Sequence, residues 1–236
     1  MSQLSPENYP RVGGGDDLLV GGTGVDTAVF TGTVLDYAFS LNGSGSLVVT
    51  DIRAGSPDGA DTLTGVERGR FAPQVDPAAY ALRIGTNLDN NLIAGTPPEL
   101  FMGFDGVDTV TYTAATAIVA SLATGSATNG DRYYGIENLT GGGGADNLTG
   151  DANANVLNGG NGNDTLTGGG GNDTLIGGAN TDTAVFSGAV TDYSFSLVGG
   201  NLVITDNRVG SPDGVDTLVG VERARFAPQI DPAAYT

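Results

Sequence analysis

The chain contains no cysteine and no histidine. Thiol nucleophiles, disulfide staples, Cys/His zinc sites and imidazole acid–base chemistry are therefore excluded. Lysine and tryptophan are also absent. All nine basic residues are arginine, set against 27 acids, for a formal net charge of −18. So acidic a chain lacks the basic footprint that nucleic acid requires, and anionic membrane surfaces repel it. No apolar run approaches the ~18 residues that a spanning helix needs, so no membrane insertion is expected. The opening MSQLSPENYPRVGGG has no apolar stretch of the kind found in secretory signal peptides. Polar and carrying Pro6 and Pro10, residues 1–11 are expected to form a flexible lead.

What is present in excess is glycine, 40 residues of 236, and aspartate, 22 of the 27 acids. A merely solvated acidic surface would draw more evenly on glutamate. Preference for the shorter carboxylate points to turns and to oxygen ligation.

Both residues concentrate in a nine-residue repeat. From Gly141 to Val185 the chain reads GGGGADNLT, GDANANVLN, GGNGNDTLT, GGGGNDTLI and GGANTDTAV, five blocks in one register. Position one is always glycine. Position six is Asp146, Asn155, Asp164, Asp173 and Asp182, and position eight is Leu148, Leu157, Leu166, Leu175 and Ala184. Positions one to six favour turns, and positions seven to nine read as a short strand with one side chain inward. Two blocks make a coil of 18 residues, and stacked coils give an all-β parallel β-roll, a β-solenoid with a leucine ladder on each face.

Stacking also places acids over acids: Asp146, Asp164 and Asp182 on one edge, Asn155 and Asp173 on the other. At an effective dielectric of about 20, each close pair of like charges costs roughly 4 kcal/mol. A hard divalent cation between turns removes that cost. Ca²⁺ suits the site best, because it accepts 6–8 oxygens in loose geometry, backbone carbonyls among them. The expected donors are the position-six side chains with the carbonyls of positions one, three and five. In the main repeats these are Gly141, Gly143, Ala145, Gly159, Asn161, Asn163, Gly168, Gly170, Asn172, Gly177 and Ala179.

GGNGNDTLT and GGGGNDTLI resemble the GGxGxDxUx nonapeptide of the RTX, or hemolysin-type, calcium-binding repeat proteins at every fixed position. The resemblance implies several bound Ca²⁺ ions, folding driven by calcium, and secretion from a Gram-negative bacterium through a type I secretion apparatus. It makes the chain a calcium-binding region of a secreted protein, extracellular in its working state.

The rest of the chain carries degenerate versions. VGGGDDLLV and GGTGVDTAV put Asp17 and Asp26 at position six, and their stacking partners must come from elsewhere. Residues 26–80 recur as 182–235 with a one-residue indel, from DTAVFTGTVLDYAFSL through GVERGRFAPQVDPAAY to DTAVFSGAVTDYSFSL through GVERARFAPQIDPAAY. Within each copy two alternating runs flank a Gly-rich turn, which predicts a β-hairpin. SPDGADTLT and SPDGVDTLV are further degenerate blocks, with Asp61 and Asp216 at position six and Asp58 and Asp213 at position three as a second set of ligands. GTNLDNNLI and GFDGVDTVT offer Asn90 and Asp108, 18 residues apart.

The expected organisation is a first cassette over 12–84, a degenerate cassette over 85–140, the main roll over 141–185, and a duplicated β module over 186–236 that repeats 30–80. Acids that repeat along an edge, rather than converge as one pair in a cleft, argue against an enzyme. The alternative function is a polysaccharide-binding adhesin or a self-associating surface-layer module attached to a secreted enzyme.

Overall fold

The computed structural model describes residues 12–71, 79–96 and 98–227. The expected lead at 1–11 and the FAPQ-to-PAA segments of both copies lie wholly or largely outside them. The regular elements of the described chain are almost entirely short strands, arranged in sheets of 4, 8 and 11 strands.

The 18-residue coil is explicit in the strand register. On one face Leu148 lies beside Leu166 and Leu166 beside Ala184, all in parallel strands. On the other face Leu139, Leu157, Leu175 and Leu218 follow one another in the same way. All these leucines are buried between the faces. Each contributes about 2 kcal/mol by leaving water. Their flanking Thr and Asn residues point outward, as the period of two requires.

Two departures from the simple turn–strand alternation have local causes. Strands Val156–Asn161 and Thr174–Ala179 are six residues long, not three. Pairing continues into the turn, with Gly160 beside Gly178 and Asn161 beside Ala179, because paired glycines leave the backbones free to approach. In the middle of the chain, Val119–Ser121, Ser126–Ala127 and Arg132–Tyr134 form an antiparallel meander inserted into the 11-stranded parallel sheet.

The duplicated element is a coil expanded by a hairpin. In the first copy, strands Tyr37–Leu41 and Leu47–Asp51 form the hairpin, and Ala60–Thr64 then returns to lie parallel to Leu18–Val20. In the second, Tyr193–Val198 pairs with Asn201–Asp206, and Val215–Val219 returns beside Thr174–Ala179. The two hairpins differ in surroundings. Phe39 of the first is buried against Phe71 and Tyr134, whereas Phe195 of the second is 48% exposed.

At each hairpin root sits one ion network. Arg208 donates to Asp206 at 2.6 Å, lies 3.2 Å from Asp213, and also reaches Ser187 and the Tyr193 hydroxyl. Tyr193 in turn donates to Asp213. Arg53, Asp51, Asp58, Thr31 and Tyr37 repeat the arrangement in the first copy. Asp58 and Asp213, expected as ligands of a second ion set, are thus occupied by a tyrosine and an arginine. The guanidinium beside Asp206 holds its carboxyl down at about 2, and burial pushes the Tyr193 hydroxyl up to about 12.

Replacing Arg208 with Met leaves two buried carboxylates without their cation. The guanidinium side chain is 26% exposed, so the expected loss is about 2–3 kcal/mol, below the usual cost of breaking a fully buried pair. Chemical denaturation of R208M in excess calcium checks this; an unchanged midpoint would mean the network holds nothing together.

Candidate metal centre

Each position-six residue of the main roll stands immediately before a strand, at an edge where the chain passes from one face to the other. Sequence reasoning expected these carboxylates to face one another. Instead each reaches to the backbone of the preceding coil. Asp164 Oδ1 accepts the backbone N–H of Asp146 at 2.7 Å, Asp182 Oδ1 that of Asp164 at 2.8 Å, and Glu222 Oε2 that of Asp182 at 2.9 Å. Asp146 itself accepts from Ile118. On the opposite edge Asp173 accepts from Asn155 and Asp216 from Asp173, while Asp108 accepts from Asn90 and Glu137 from Asp108. In the first module Asp61 accepts from Asp17 and Glu67 from Asp26. The missing partners of Asp17 and Asp26 are therefore residues 44 and 41 positions away, brought back by the expanded coil.

Glu67, Glu137 and Glu222 were not among the expected site residues. They occupy the G-[VI]-E stretches GVERG, GIENL and GVERA. There the turn before the strand shortens, and the longer glutamate side chain covers the distance that aspartate spans in a full turn. The motif was visible as a recurrence, but the nine-residue frame assigned it no position.

The second carboxylate oxygen sorts the turns. Asp146 Oδ2 accepts the N–H of Gly142 and Asp26 Oδ2 that of Gly22, so these two turns are closed by their own acid. Asn155 and Asn90 close theirs with amide oxygens, to Asp151 and Thr86. By contrast, Oδ2 of Asp61, Asp108, Asp164, Asp173 and Asp182 is buried with no hydrogen-bond partner. A buried oxygen of this kind is costly when charged.

Protonation equilibria carry that cost. Burial pushes Asp164 and Asp173 up to about 6, Asp61 up to about 7 and Asp216 up to about 8. Asp108, Asp146 and Asp182 move the same way for the same first reason. Repulsion from neighbouring acids adds to it: Asp146 and Asp182 act on Asp164, and Asp173 and Asp213 on Asp216. Loss of water around each carboxylate outweighs the repulsion between acids.

Position-one glycine is explained by the same geometry. A Cβ on Gly159 would lie 2.3 Å from Asp164 Oδ2 and 2.6 Å from the Gly177 carbonyl oxygen. Gly177 stands in the same relation to Asp182 and the Gly220 carbonyl. A side chain there would fill the cradle formed by the acid and the next coil's carbonyl. In the last three blocks position four takes a left-handed backbone: φ is +129° at Gly162, +102° at Gly171 and +89° at Asn180. Asparagine tolerates that region, so the substitution keeps the turn.

Among the described residues no three acidic side chains converge on one point. A cation that takes 6–8 oxygens would therefore draw most of its shell from backbone carbonyls. The donor set fits calcium: one orphaned carboxylate oxygen at each of five turns, carbonyls close by, and neither imidazole nor thiolate ligands in the sequence.

Fold and edges together define a parallel β-roll with acid ladders along both edges. A family model for the RTX calcium-binding nonapeptide repeat matches four copies, over residues 12–28, 133–166 and 149–184. Those stretches thus carry RTX calcium-binding nonapeptide repeats. No curated protein matches it. Among solved structures it is similar to the extracellular lipase LipA from Serratia marcescens, at 18% identity and a TM-score of 0.29. The match covers 90% of this chain but only 36% of the lipase, so the chain spans little more than a third of that protein's length.

The raised carboxyls fix a pH dependence. A folded-state pKa above the unfolded value near 3.8 means that the folded state holds extra protons. That stability is fully present below about pH 4 and is lost as pH rises through 6 to 8. In excess chelator the chain is therefore expected to hold more β structure at pH 5 than at pH 8. Circular dichroism across that range tests it, and equal or weaker signal at pH 5 would contradict the burial argument.

Proposed function

We propose that this chain is the calcium-binding β-roll region of a secreted bacterial protein, and that it folds on binding calcium after passage through a type I secretion channel. The observation that carries the reading is the set of five buried, unpartnered carboxylate oxygens, each just before or at the start of a strand. Bound calcium supplies the positive charge that these oxygens lack inside the fold. Where the ion is scarce, the chain's own acids work against folding. Asp164, Asp173 and Asp182 must then be either buried as charges or protonated, and with 27 acids against nine arginines the extended chain is favoured.

The energetic scale is adequate. Sites of the extracellular kind bind calcium at roughly 10⁻⁴–10⁻³ M. Tenfold excess over the dissociation constant contributes about 1.4 kcal/mol per site. Three to five sites supply about 4–7 kcal/mol, comparable with the whole stability of a small domain.

The matched repeat is a calcium-binding element rather than a catalytic one. Among the described residues no helix is long and apolar enough to cross a membrane. The polysaccharide-binding or surface-layer alternative has no comparable observation behind it.

The orphaned oxygens also rank the turns. Turns leading into Asp61, Asp108, Asp164, Asp173 and Asp182 take ions, with the position-one, -three and -five carbonyls completing the shell. Turns leading into Asp26, Asp146, Asn90 and Asn155 are closed by their own N–H groups and contribute less. Chelated protein should gain strand signal on adding Ca²⁺ but not Mg²⁺, and a fully folded spectrum in excess chelator at neutral pH would defeat the proposal. In calcium titrations followed by calorimetry, Asp164→Asn is expected to raise the midpoint about threefold to tenfold. Asp146→Asn should stay within about twofold of the parent; equal effects of the two substitutions would refute the ranking.

A further inference from the structure

One turn on the edge that carries Asp146, Asp164 and Asp182 is built differently. It joins strand Asn91–Ile93 to strand Glu99–Met102, and Glu99, at its end, is fully buried. Glu99 holds the register place of the position-six aspartates on this edge, and neither of its oxygens is orphaned. Oε2 accepts the N–H of Gly95 at 2.6 Å. Oε1 accepts from Arg83 Nε at 2.6 Å and lies 2.5 Å from Arg83 Nη2. Arg83 comes from strand Tyr80–Ile84, the parallel neighbour of Glu99–Met102, and its guanidinium folds back over the turn. A Cβ on Gly95 would meet Arg83 Nη2 at 2.4 Å and Glu99 Oε1 at 3.2 Å. At Gly159, five residues before its acid rather than four, the Cβ site is crowded by an unpaired aspartate oxygen and a carbonyl. Here it is crowded by a cation.

The next acid on this edge is satisfied too. Asp131 Oδ1 accepts the N–H of Glu99 at 2.8 Å, and Oδ2 accepts from Tyr112 and from Asn129 Nδ2. Tyr112 and Tyr133 share a further hydroxyl contact. Two successive acids of the ladder thus have every oxygen engaged by protein groups, while five elsewhere do not.

We propose that Arg83 is a built-in counter-ion that takes the place of calcium at the Glu99 turn. Strands Tyr80–Ile84, Glu99–Met102 and Arg132–Tyr134, neighbours in the 11-stranded sheet, then form a calcium-independent segment between the two calcium-dependent modules, while the Asp108 turn lies on the opposite edge. The donor set at Glu99 does not fit a metal, because a guanidinium and a divalent cation cannot share Glu99 Oε1. The consequence is an order of assembly: this segment keeps its strands when the ion is withdrawn and presents strand edges on which the flanking coils form when it returns. The inference rests on the calcium reading of the other turns.

Hydrogen exchange read by mass spectrometry tests it on the full chain at neutral pH, in calcium and in excess chelator. In chelator, amides of 81–84 and 99–102 are expected to exchange at least about tenfold more slowly than those of 165–167 and 174–176. If all four segments exchange equally fast, the built-in counter-ion is refuted and the calcium reading stands. If all four stay protected, the calcium reading fails instead. Arg83→Met keeps the stem and removes the charge. It should abolish the slow exchange at 99–102 in chelator, and Arg83→Lys should restore part of it. Protection unchanged in R83M would show that the guanidinium is not the group holding the turn, and would overturn the assignment.

Discussion

The structure depends on a carboxylate that is only half satisfied. One oxygen of each ladder acid is committed to the backbone N–H of the neighbouring coil. That bond fixes the coil spacing and pulls the side chain out of water. In Asp61, Asp108, Asp164, Asp173 and Asp182 the other oxygen arrives in the same buried place with nothing to bind. On the proposed function, folding and ion binding are the same event at such acids: the hydrogen bond that builds the ladder also creates the unbalanced charge that a cation would neutralise. Burial, more than mutual repulsion, makes that charge costly, which is why protons are the natural competitors of the ion.

The repeat's other constraints follow from that placement. Glycine stands at position one because the acid's free oxygen and the next coil's carbonyl already occupy the space a side chain would need. Leucine stands at position eight because only one residue per short strand faces the narrow interior. Even the duplicated modules obey the ladder. A hairpin lengthens the separation from 18 residues to 43 or 44, yet Asp216 still accepts from Asp173 and Asp61 from Asp17. The insertion is tolerated because its two ends return to one coil position, so loop length adds little to the cost of closure.

Strict periodicity made the fold legible in the residues themselves. Five blocks in one register gave the coil, the leucine ladder and the pairing of Asp146 with Asp164 and Asp164 with Asp182. The hairpins were legible from alternation around NGSGS. What the frame hid were interactions that break its count. Glu67, Glu137 and Glu222 do the work of position-six acids from a shortened turn. Asp58 and Asp213 sit in nonapeptide-like blocks but answer to Arg53 and Arg208, arginines brought close only by the folded hairpin root. Nor can spacing reveal which carboxylate oxygen finds a partner: Asp146 and Asp164 occupy the same repeat position, and only the path of the preceding chain separates them.

That difference between equivalent aspartates bears on how such a roll begins. A ladder acid at the first coil of a run has no preceding nonapeptide turn to share an ion with. Asp146 follows the Ile118 stretch, Asp26 opens the first module, and Asn90 and Asn155 begin their runs on the other edge. Each of these closes on an N–H four residues back in its own turn. Downstream acids leave that bond unmade and keep an oxygen free. The local bond satisfies a polar group where no neighbour can supply a shared cation, and giving it up makes sense only where the next coil brings carbonyls to complete a shell. A run of identical repeats is therefore not a run of identical sites. Its first member is a cap written in the same residues, and on the proposed function ion binding starts one coil later.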